Sequence, residues 1–180
     1  MKSKPKVIKL TGNSYAVLAL LDQFGESTSY DIKQAIEASI QNFWPVPHTT
    51  AYEEPARLAT AGYLSVGQEE GGRRRRFYSL TEKGREALSA WAADPEVAPP
   101  QLREEAILKV FAGGDPGPLA ESRRAWHEAK REELAGMLRE VRKAEDGSLA
   151  ASERTLMSGV GYHQKMLELL ELLEAGGDPG

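Results

Sequence analysis

The sequence contains no cysteine and no long hydrophobic run, and each absence excludes a class of protein. Without cysteine, the chain has no disulfide framework, no thiolate metal site and no cysteine nucleophile. Its longest apolar run, residues 16–21, is far shorter than the roughly 20 residues of a membrane-spanning helix. The segment after the lysine-rich first nine residues is too polar for the core of an export signal. We therefore expect a cytoplasmic protein with no membrane partner.

Positive charge is also scarce, because 23 Lys and Arg stand against 27 Asp and Glu, a net charge of −4. The two halves differ, however. Residues 1–90 hold 12 basic and 10 acidic side chains, whereas residues 91–180 hold 11 and 17. The basic charge of the first half is concentrated in the N-terminal lysines and in four consecutive arginines, residues 73–76. Such a local patch can bind phosphate whatever the net charge of the chain.

Capping residues and apolar stripes predict three helices in the first 62 residues. The first runs from about residue 11 to a stop at Gly25, and Ser27 or Thr28 caps the second. Two prolines after Trp44 force a turn. Thr49 is the expected cap of the third helix, which ends at Gly62. The expected inward stripes of the second and third helices are Ile32, Ile36 and Ile40, and Ala51, Pro55 and Leu58.

Two short alternating segments follow, residues 63–66 and 76–80, and they predict a β-hairpin with residues 67–72 as its loop. Thr81 then caps a fourth helix, from Glu82 to about Ala92. Three helices, a hairpin and a fourth helix in this order predict a winged helix-turn-helix. The fold class is therefore mainly α with a small β-hairpin wing, followed by a C-terminal helical domain.

A proline-rich segment, residues 94–100, predicts a linker between a winged domain at 1–93 and a helical domain at 101–180. Helices are predicted over about 102–111, 119–144 and 149–175. The last two are too long to be stabilised by helix propensity alone, so their apolar stripes need partners. The stripe of the final helix consists of Leu156, Val160, His163, Leu167 and Leu170.

These stripes could close on each other within one chain or against a second chain. The stripe of the preceding helix includes Trp126, Leu134 and Leu138. The final helix carries further apolar side chains beyond its seam, including Met157 and Leu169, and this surplus favours a second chain. We therefore expect a homodimer.

A series of short motifs runs along the chain in a fixed order. They are Tyr30-Asp31-Ile32-Lys33, Phe43-Trp44-Pro45, Tyr52 with Arg57-Leu58, Gly62-Tyr63-Leu64, Arg76-Phe77-Tyr78-Ser79-Leu80-Thr81-Glu82-Lys83-Gly84-Arg85, Leu102-Arg103-Glu104-Glu105 and Leu108-Lys109-Val110-Phe111. Together they resemble the PadR family of bacterial transcriptional regulators. The resemblance implies a homodimer held by the C-terminal helices and the first helix, which would include Leu18. It also implies a palindromic operator, usually repression, and release by a small aromatic or lipophilic effector.

The sequence departs from the family's pattern in the recognition helix. The family commonly has proline directly after the tyrosine, whereas here two glutamates follow Tyr52 and the proline is Pro55. This proline removes the helical hydrogen bond to the Ala51 carbonyl and is expected to bend the helix. It therefore leaves the register of the base contacts open.

In a helix-turn-helix, the N-terminal residues of the second helix enter the major groove. The candidates for base contacts are His48, Thr49, Thr50, Tyr52 and Glu53. Several of them have a structural alternative: Thr49 could be a plain N-cap, Glu53 a favourable charge at a helix N-terminus, and Tyr52 a packing residue.

Further candidates would bind the DNA backbone. Lys33 could bind a phosphate or remain a solvated charge, and Arg57 could bind a phosphate or pair with a neighbouring glutamate. The four wing candidates for the phosphate backbone or the minor groove are Arg73, Arg74, Arg75 and Arg76. Glu69 and Glu70 in the same loop would repel phosphate. With Glu53 and Glu54 they favour the alternative function, a winged helix that contacts proteins.

No enzyme is expected, because the three histidines are far apart in sequence and no nucleophile motif is present. No cofactor or metal is expected either, and His163 is interpreted as a packing residue. An effector pocket would need apolar walls, and we place it between the winged domain and the tail at a dimer interface. Its candidate residues are Trp44, Trp91, Trp126 and Met137.

Overall fold

The computed structural model of the chain describes residues 8–68, 75–143 and 150–175. The chain divides into two compact units, residues 1–99 and 100–180. Most described residues are helical, and a small three-stranded antiparallel sheet lies in the first unit. This architecture confirms the expected fold class. Within the described residues, no helix is both long enough and apolar enough to cross a membrane.

Threonine caps start two of the first three helices, as expected. These helices are α1 (Gly12–Phe24), α2 (Ser29–Ala38) and α3 (Thr50–Thr60). The hydroxyls of Thr11 and Thr28 accept backbone N–H bonds at the starts of α1 and α2. Gly25 ends α1 with φ 77°, a conformation that suits glycine. α2 ends before Ile40, which lies in a 3₁₀ turn at Ile40–Asn42 rather than in the helical stripe.

α3 continues through Pro55, which lies in its interior. The ring replaces the N–H that would bond the Ala51 carbonyl, yet residues on both sides keep helical geometry. Ala51, Pro55 and Leu58 are all buried, which confirms the predicted inward stripe. Thr49 precedes α3 but its hydroxyl makes no capping bond, so the predicted role of Thr49 as a side-chain cap is wrong.

The wing is a β-hairpin of β2 (Leu64–Gln68) and β3 (Arg76–Leu80), in antiparallel register from Leu64 opposite Leu80 to Gln68 opposite Arg76. The predicted loop begins at residue 67, whereas β2 extends through Gln68. β1 (Ser27–Thr28), which the sequence does not predict, pairs with the other edge of β3, so the sheet order is β1-β3-β2. Thr28 therefore both ends a strand and caps α2. α4 (Glu82–Ala93) follows with Thr81 as its cap, as predicted.

The core of the first unit is built from α1, α2, α3 and the sheet. Leu18, Ile32 and Leu58 are its most completely buried large side chains, each with an exposed fraction of 1% or less. The family resemblance assigns Leu18 to the dimer interface. That assignment is wrong for this side chain, because a residue enclosed by its own unit offers no surface to a second chain.

The second unit consists of α5 (Glu105–Phe111), α6 (Pro116–Val141) and α7 (Ala150–Ala175). No helix or strand occurs over residues 94–104. The Asp115 carboxylate caps α6 and accepts from the Gly117 amide. α6 and α7 pack on each other within the chain, with Leu134 and Leu138 of α6 and Leu167 and Leu170 of α7 buried.

This packing corrects part of the expected dimer seam. His163, Leu167 and Leu170 are buried inside the unit, where they serve the contact between α6 and α7 instead of a second chain. Leu156 and Val160 remain half-buried. The closure of the two stripes within one chain is therefore the arrangement that the structure contains.

Candidate nucleic-acid interface

Four of the five predicted base-reading residues lie exposed at the start of α3. They are His48, Thr49, Tyr52 and Glu53. The Tyr52 ring is 51% exposed, so the alternative in which it packs beneath the helix is wrong. Thr50 is the exception, with only 8% of its surface exposed. Its amide donates to the Pro47 carbonyl, so the preceding turn folds back against it and the side chain lies away from the exposed face.

Lys33 of α2 lies close to the start of α3. Both Lys33 and His48 line a small cavity of about 190 Å³ whose other walls come from α2 and the turn before α3. The Lys33 ammonium forms an ion pair with Glu37 one turn later, with 3.3 Å between Nζ and Oε1. An exposed pair of this kind is weak and can exchange Glu37 for a phosphate at small cost.

The described part of the wing carries Arg75 and Arg76, both exposed. Hydrogen bonds from Thr28 hold the pKa of Asp31 below its usual value, and the nearby positive charge of Arg75 lowers that pKa further. The loop end of β3 thus lies close to the N-terminus of α2, as the pairing of Thr28 with Phe77 also shows. Arg73 and Arg74, together with Glu69 and Glu70, lie outside the described residues.

Arg57 forms hydrogen bonds within the first unit. Its Nε and Nη2 donate to the two carboxylate oxygens of Glu54 at 2.8 and 2.6 Å. The same guanidinium donates to the Ser14 hydroxyl at 2.9 Å and to the Lys9 carbonyl at 3.3 Å. Of the two roles considered for Arg57, the structure contains the pairing with a glutamate.

Comparisons with known proteins show which family this chain is similar to. Residues 17–90 match the model of the transcriptional regulator PadR-like family. The negative transcriptional regulator PadR of Bacillus subtilis is 28% identical over 99 residues, a match that covers 54% of each protein. The match thus spans about half the length of this curated relative. Residues 17–90, the greater part of the winged unit, are thus similar to the PadR-like family.

Solved structures support the fold of the whole chain. The Bacillus subtilis PadR structure in complex with operator DNA superposes with a TM-score of 0.81 over 94% of this chain and 100% of that one, at 20% identity. The structure of the same protein in complex with p-coumaric acid gives a TM-score of 0.72 with the same coverage and identity. Both superpositions show that this chain shares the fold of the PadR structures.

The three tryptophans expected to line an effector pocket have partners within their own units. The Trp91 ring stacks on Tyr15 at 4.5 Å between centroids with 6° between their planes. The Trp44 indole N–H donates to Asn13 Oδ1 at 3.1 Å. Trp126 and Met137 both lie on α6, where Trp126 is partly exposed and Met137 is half-buried. An effector role for these four residues stays a prediction.

The second unit contains a buried pair that sequence reasoning missed. His127 of α6 and His163 of α7 approach to 2.8 Å between their Nδ1 atoms, and the Trp126 ring lies edge-on to both. Burial lowers the pKa of each histidine. The two are equally far in sequence from residue 145, between α6 and α7, and this symmetry is the signal that could have paired them. Among the described residues, no three metal-binding side chains come together.

Proposed function

We propose that this chain is a repressor that binds a palindromic operator as a homodimer. The observation that carries the proposal is the exposed start of α3, where Thr49, Tyr52 and Glu53 are exposed beside Lys33 and His48. Threonine hydroxyls and methyls, and a glutamate that accepts from cytosine N4, are groups that read base edges. The related Bacillus subtilis PadR forms a complex with operator DNA and is named a negative transcriptional regulator, and both facts support the same function.

The wing supplies the attraction to the DNA backbone. Arg75 and Arg76 lie exposed at the loop end of the hairpin, and Arg73 and Arg74 directly precede them in the sequence. Arginine contacts to phosphate give affinity without sequence preference, and they release bound counterions. The logarithm of the affinity should therefore fall steeply with the logarithm of the salt concentration.

The second chain of the dimer needs an apolar surface, and α7 offers one. Tyr162, Leu169 and Leu172 are partly exposed and are spaced seven and three residues apart, as in a helix-pairing seam. Since the inner seam is closed against α6, this outer row is the surface we assign to the partner. The double variant Leu169→Lys/Leu172→Lys should give a folded monomer in sedimentation equilibrium, while Ala129→Lys, at an exposed position of α6 outside this row, should remain a dimer.

The proposed operator contact is tested with a duplex that the protein itself selects from a random-sequence pool. In the Arg75→Ala/Arg76→Ala variant, the salt slope of the affinity for this duplex should flatten by about 3 to 4 units if both arginines contact phosphate in both protomers. Arg85→Ala is the matched control, because Arg85 is an exposed arginine of α4 beyond the wing. An unchanged slope in the wing variant would refute the wing contact.

A winged helix that contacts proteins is the second candidate function. The exposed carboxylate of Glu53 at the start of α3 favours it, because a carboxylate in a DNA groove would lie near phosphates. Failure of the wild-type protein to enrich any sequence from the pool would favour this candidate. Enrichment of a sequence with two-fold symmetry would favour the operator.

We propose a small aromatic carboxylic acid as the effector of this regulator. The support is the structure of the related PadR with p-coumaric acid, together with the tryptophans of this chain. Titration of p-coumaric acid into the complex with the selected duplex should release the DNA. Retention of the DNA at saturating p-coumaric acid would leave this regulator with a different effector class or none.

A further inference from the structure

The first turn of α1 contacts both the turn that leads into α3 and α3 itself. Asn13 Oδ1 accepts from the Trp44 indole, and the Ser14 hydroxyl accepts from Arg57 at 2.9 Å. Gly12 completes the contact, because a Cβ at this position would lie 2.3 Å from Trp44 Cζ2. The Trp44 ring therefore fills the space that any side chain at residue 12 would need. Three consecutive residues of α1 thus hold two separate points of the DNA-reading segment.

The Arg57 guanidinium is held by hydrogen bonds to other groups of the same unit. Four hydrogen bonds join it to Glu54, Ser14 and the Lys9 carbonyl. Ser14 is fully buried, and only 13% of the Glu54 side chain is exposed. Burial alone would raise the pKa of Glu54, but hydrogen bonds from Arg57 and Ser14 outweigh burial and lower it. A phosphate that took the Nε and Nη2 donors of Arg57 would leave Glu54 charged and unpaired, which is costly.

We propose that these contacts, which we name the α1 anchor, position α3 for reading the operator. The α1 anchor consists of Gly12, Asn13, Ser14, Trp44, Glu54 and Arg57. Arg57 and Trp44 are then positioning residues, which act on α3 without contacting the DNA themselves. This inference rests on the proposed operator binding. It adds the residues that set the angle and register of α3. The sequence left that register open because of Pro55.

Arg57→Lys is the informative substitution, because it keeps the charge and loses the planar fork that bonds Glu54 through two atoms. The affinity for the selected duplex should fall about tenfold. The affinity for a scrambled duplex of the same composition should stay unchanged, since backbone attraction does not depend on where α3 points. The salt slope should also stay unchanged, because no phosphate contact is lost.

Lys33→Ala is the matched control, since Lys33 is the predicted phosphate ligand. It should weaken both duplexes and reduce the salt slope by about one unit for each protomer. Trp44→Phe keeps a ring against Gly12 and removes only the indole donor, so about a threefold loss on the selected duplex is expected. A reduced salt slope in Arg57→Ala, similar to that of Lys33→Ala, would identify Arg57 as a phosphate ligand and overturn the proposal.

Hydrogen exchange of the free protein tests the α1 anchor without DNA. In Arg57→Lys and Asn13→Ala, the amides of α3 should exchange faster while those of α4 and α7 keep their wild-type rates. Unchanged exchange in α3 would overturn the positioning role. If the wild-type protein selects no DNA sequence, the proposed function fails, and the exchange experiment still decides whether the α1 anchor holds α3. Faster exchange throughout the first unit would show general destabilisation and would also overturn it.

Discussion

Acidification from pH 7.5 to pH 5.5 is expected to destabilise the tail through His127 and His163. Both rings are buried and share one contact between their Nδ1 atoms, so one ring must donate and the other accept. Burial lowers the pKa of His127 most, and the Arg123 charge adds to this against the opposing charge of Glu104. Protonation of both rings would break the hydrogen bond between them and place two positive charges together.

The charges that face His163 also lower its pKa on balance. Burial lowers its pKa most, followed by the charge of His127, of Lys130 and of Arg123, while Glu133 on α6 raises it. The neutral pair is therefore the form that the fold stabilises.

The sign and size of the effect follow from proton linkage. The unfolded histidines titrate near pH 6.5, and their folded pKa values lie lower. Below about pH 6.5 the unfolded state therefore binds more protons, so the free energy of unfolding falls as the pH falls. The contribution is fully present above about pH 7.5. Between pH 7.5 and 5.5 the loss can reach about 1.4 kcal/mol for each histidine, or about 3 kcal/mol for the pair.

Urea unfolding at the two pH values measures this loss. Trp126 contacts both rings and reports the tail when Trp44 and Trp91 are replaced by phenylalanine. His127→Phe/His163→Leu should remove most of the pH dependence, whereas His48→Gln, at an exposed position just before α3, should leave it intact. Equal pH dependence in the double variant and its parent, or greater stability at pH 5.5, would refute the reasoning.

Two further substitutions have effects that follow from single contacts. Gly84→Ala should lower the unfolding free energy of the winged unit by about 1–3 kcal/mol in thermal denaturation, because the new Cβ would lie 2.3 Å from the Tyr63 carbonyl oxygen. Gly161→Ala is its control: it has open space around it and should stabilise α7 by up to about 1 kcal/mol. Arg123→Leu should destabilise the tail by about 2 kcal/mol in urea unfolding, since it leaves the nearly buried Glu104 carboxylate without its 2.6 Å partner. Wild-type stability of this variant would show that other groups satisfy Glu104.

Local sequence signals were sufficient to predict the helices and the hairpin, because capping residues and helix-ending glycines act within one turn of the chain. Thr28, Thr81 and Gly25 each mark a helix end in the sequence and do so in the structure. β1 could not be predicted, since two residues show no periodicity and their partner in β3 is about 50 residues away.

The residues that the sequence assigned wrongly are those whose positions depend on tertiary packing. Thr50 is adjacent to Thr49 in sequence, yet the hydrogen bond to Pro47 turns only one of them inward. The apolar spacing of α7 correctly marked a seam, but spacing cannot say whether α6 or a second chain covers it. The pairing of His127 with His163 depends on the register of α6 against α7, and the spacing within either helix does not specify that register.

The distribution of ion pairs changes how the net charge of −4 bears on DNA binding. Lys33 is the basic residue of α2 and Arg57 that of α3, and each is paired with a glutamate on its own helix, Glu37 and Glu54. Each of the two helices that face the operator in our proposal thus has two carboxylates against one basic side chain, a net charge of −1. Attraction to phosphate must then come mainly from the wing arginines and the N-terminal lysines. This division explains why base reading and salt dependence should respond to different substitutions, the former to the α1 anchor and the latter to the wing.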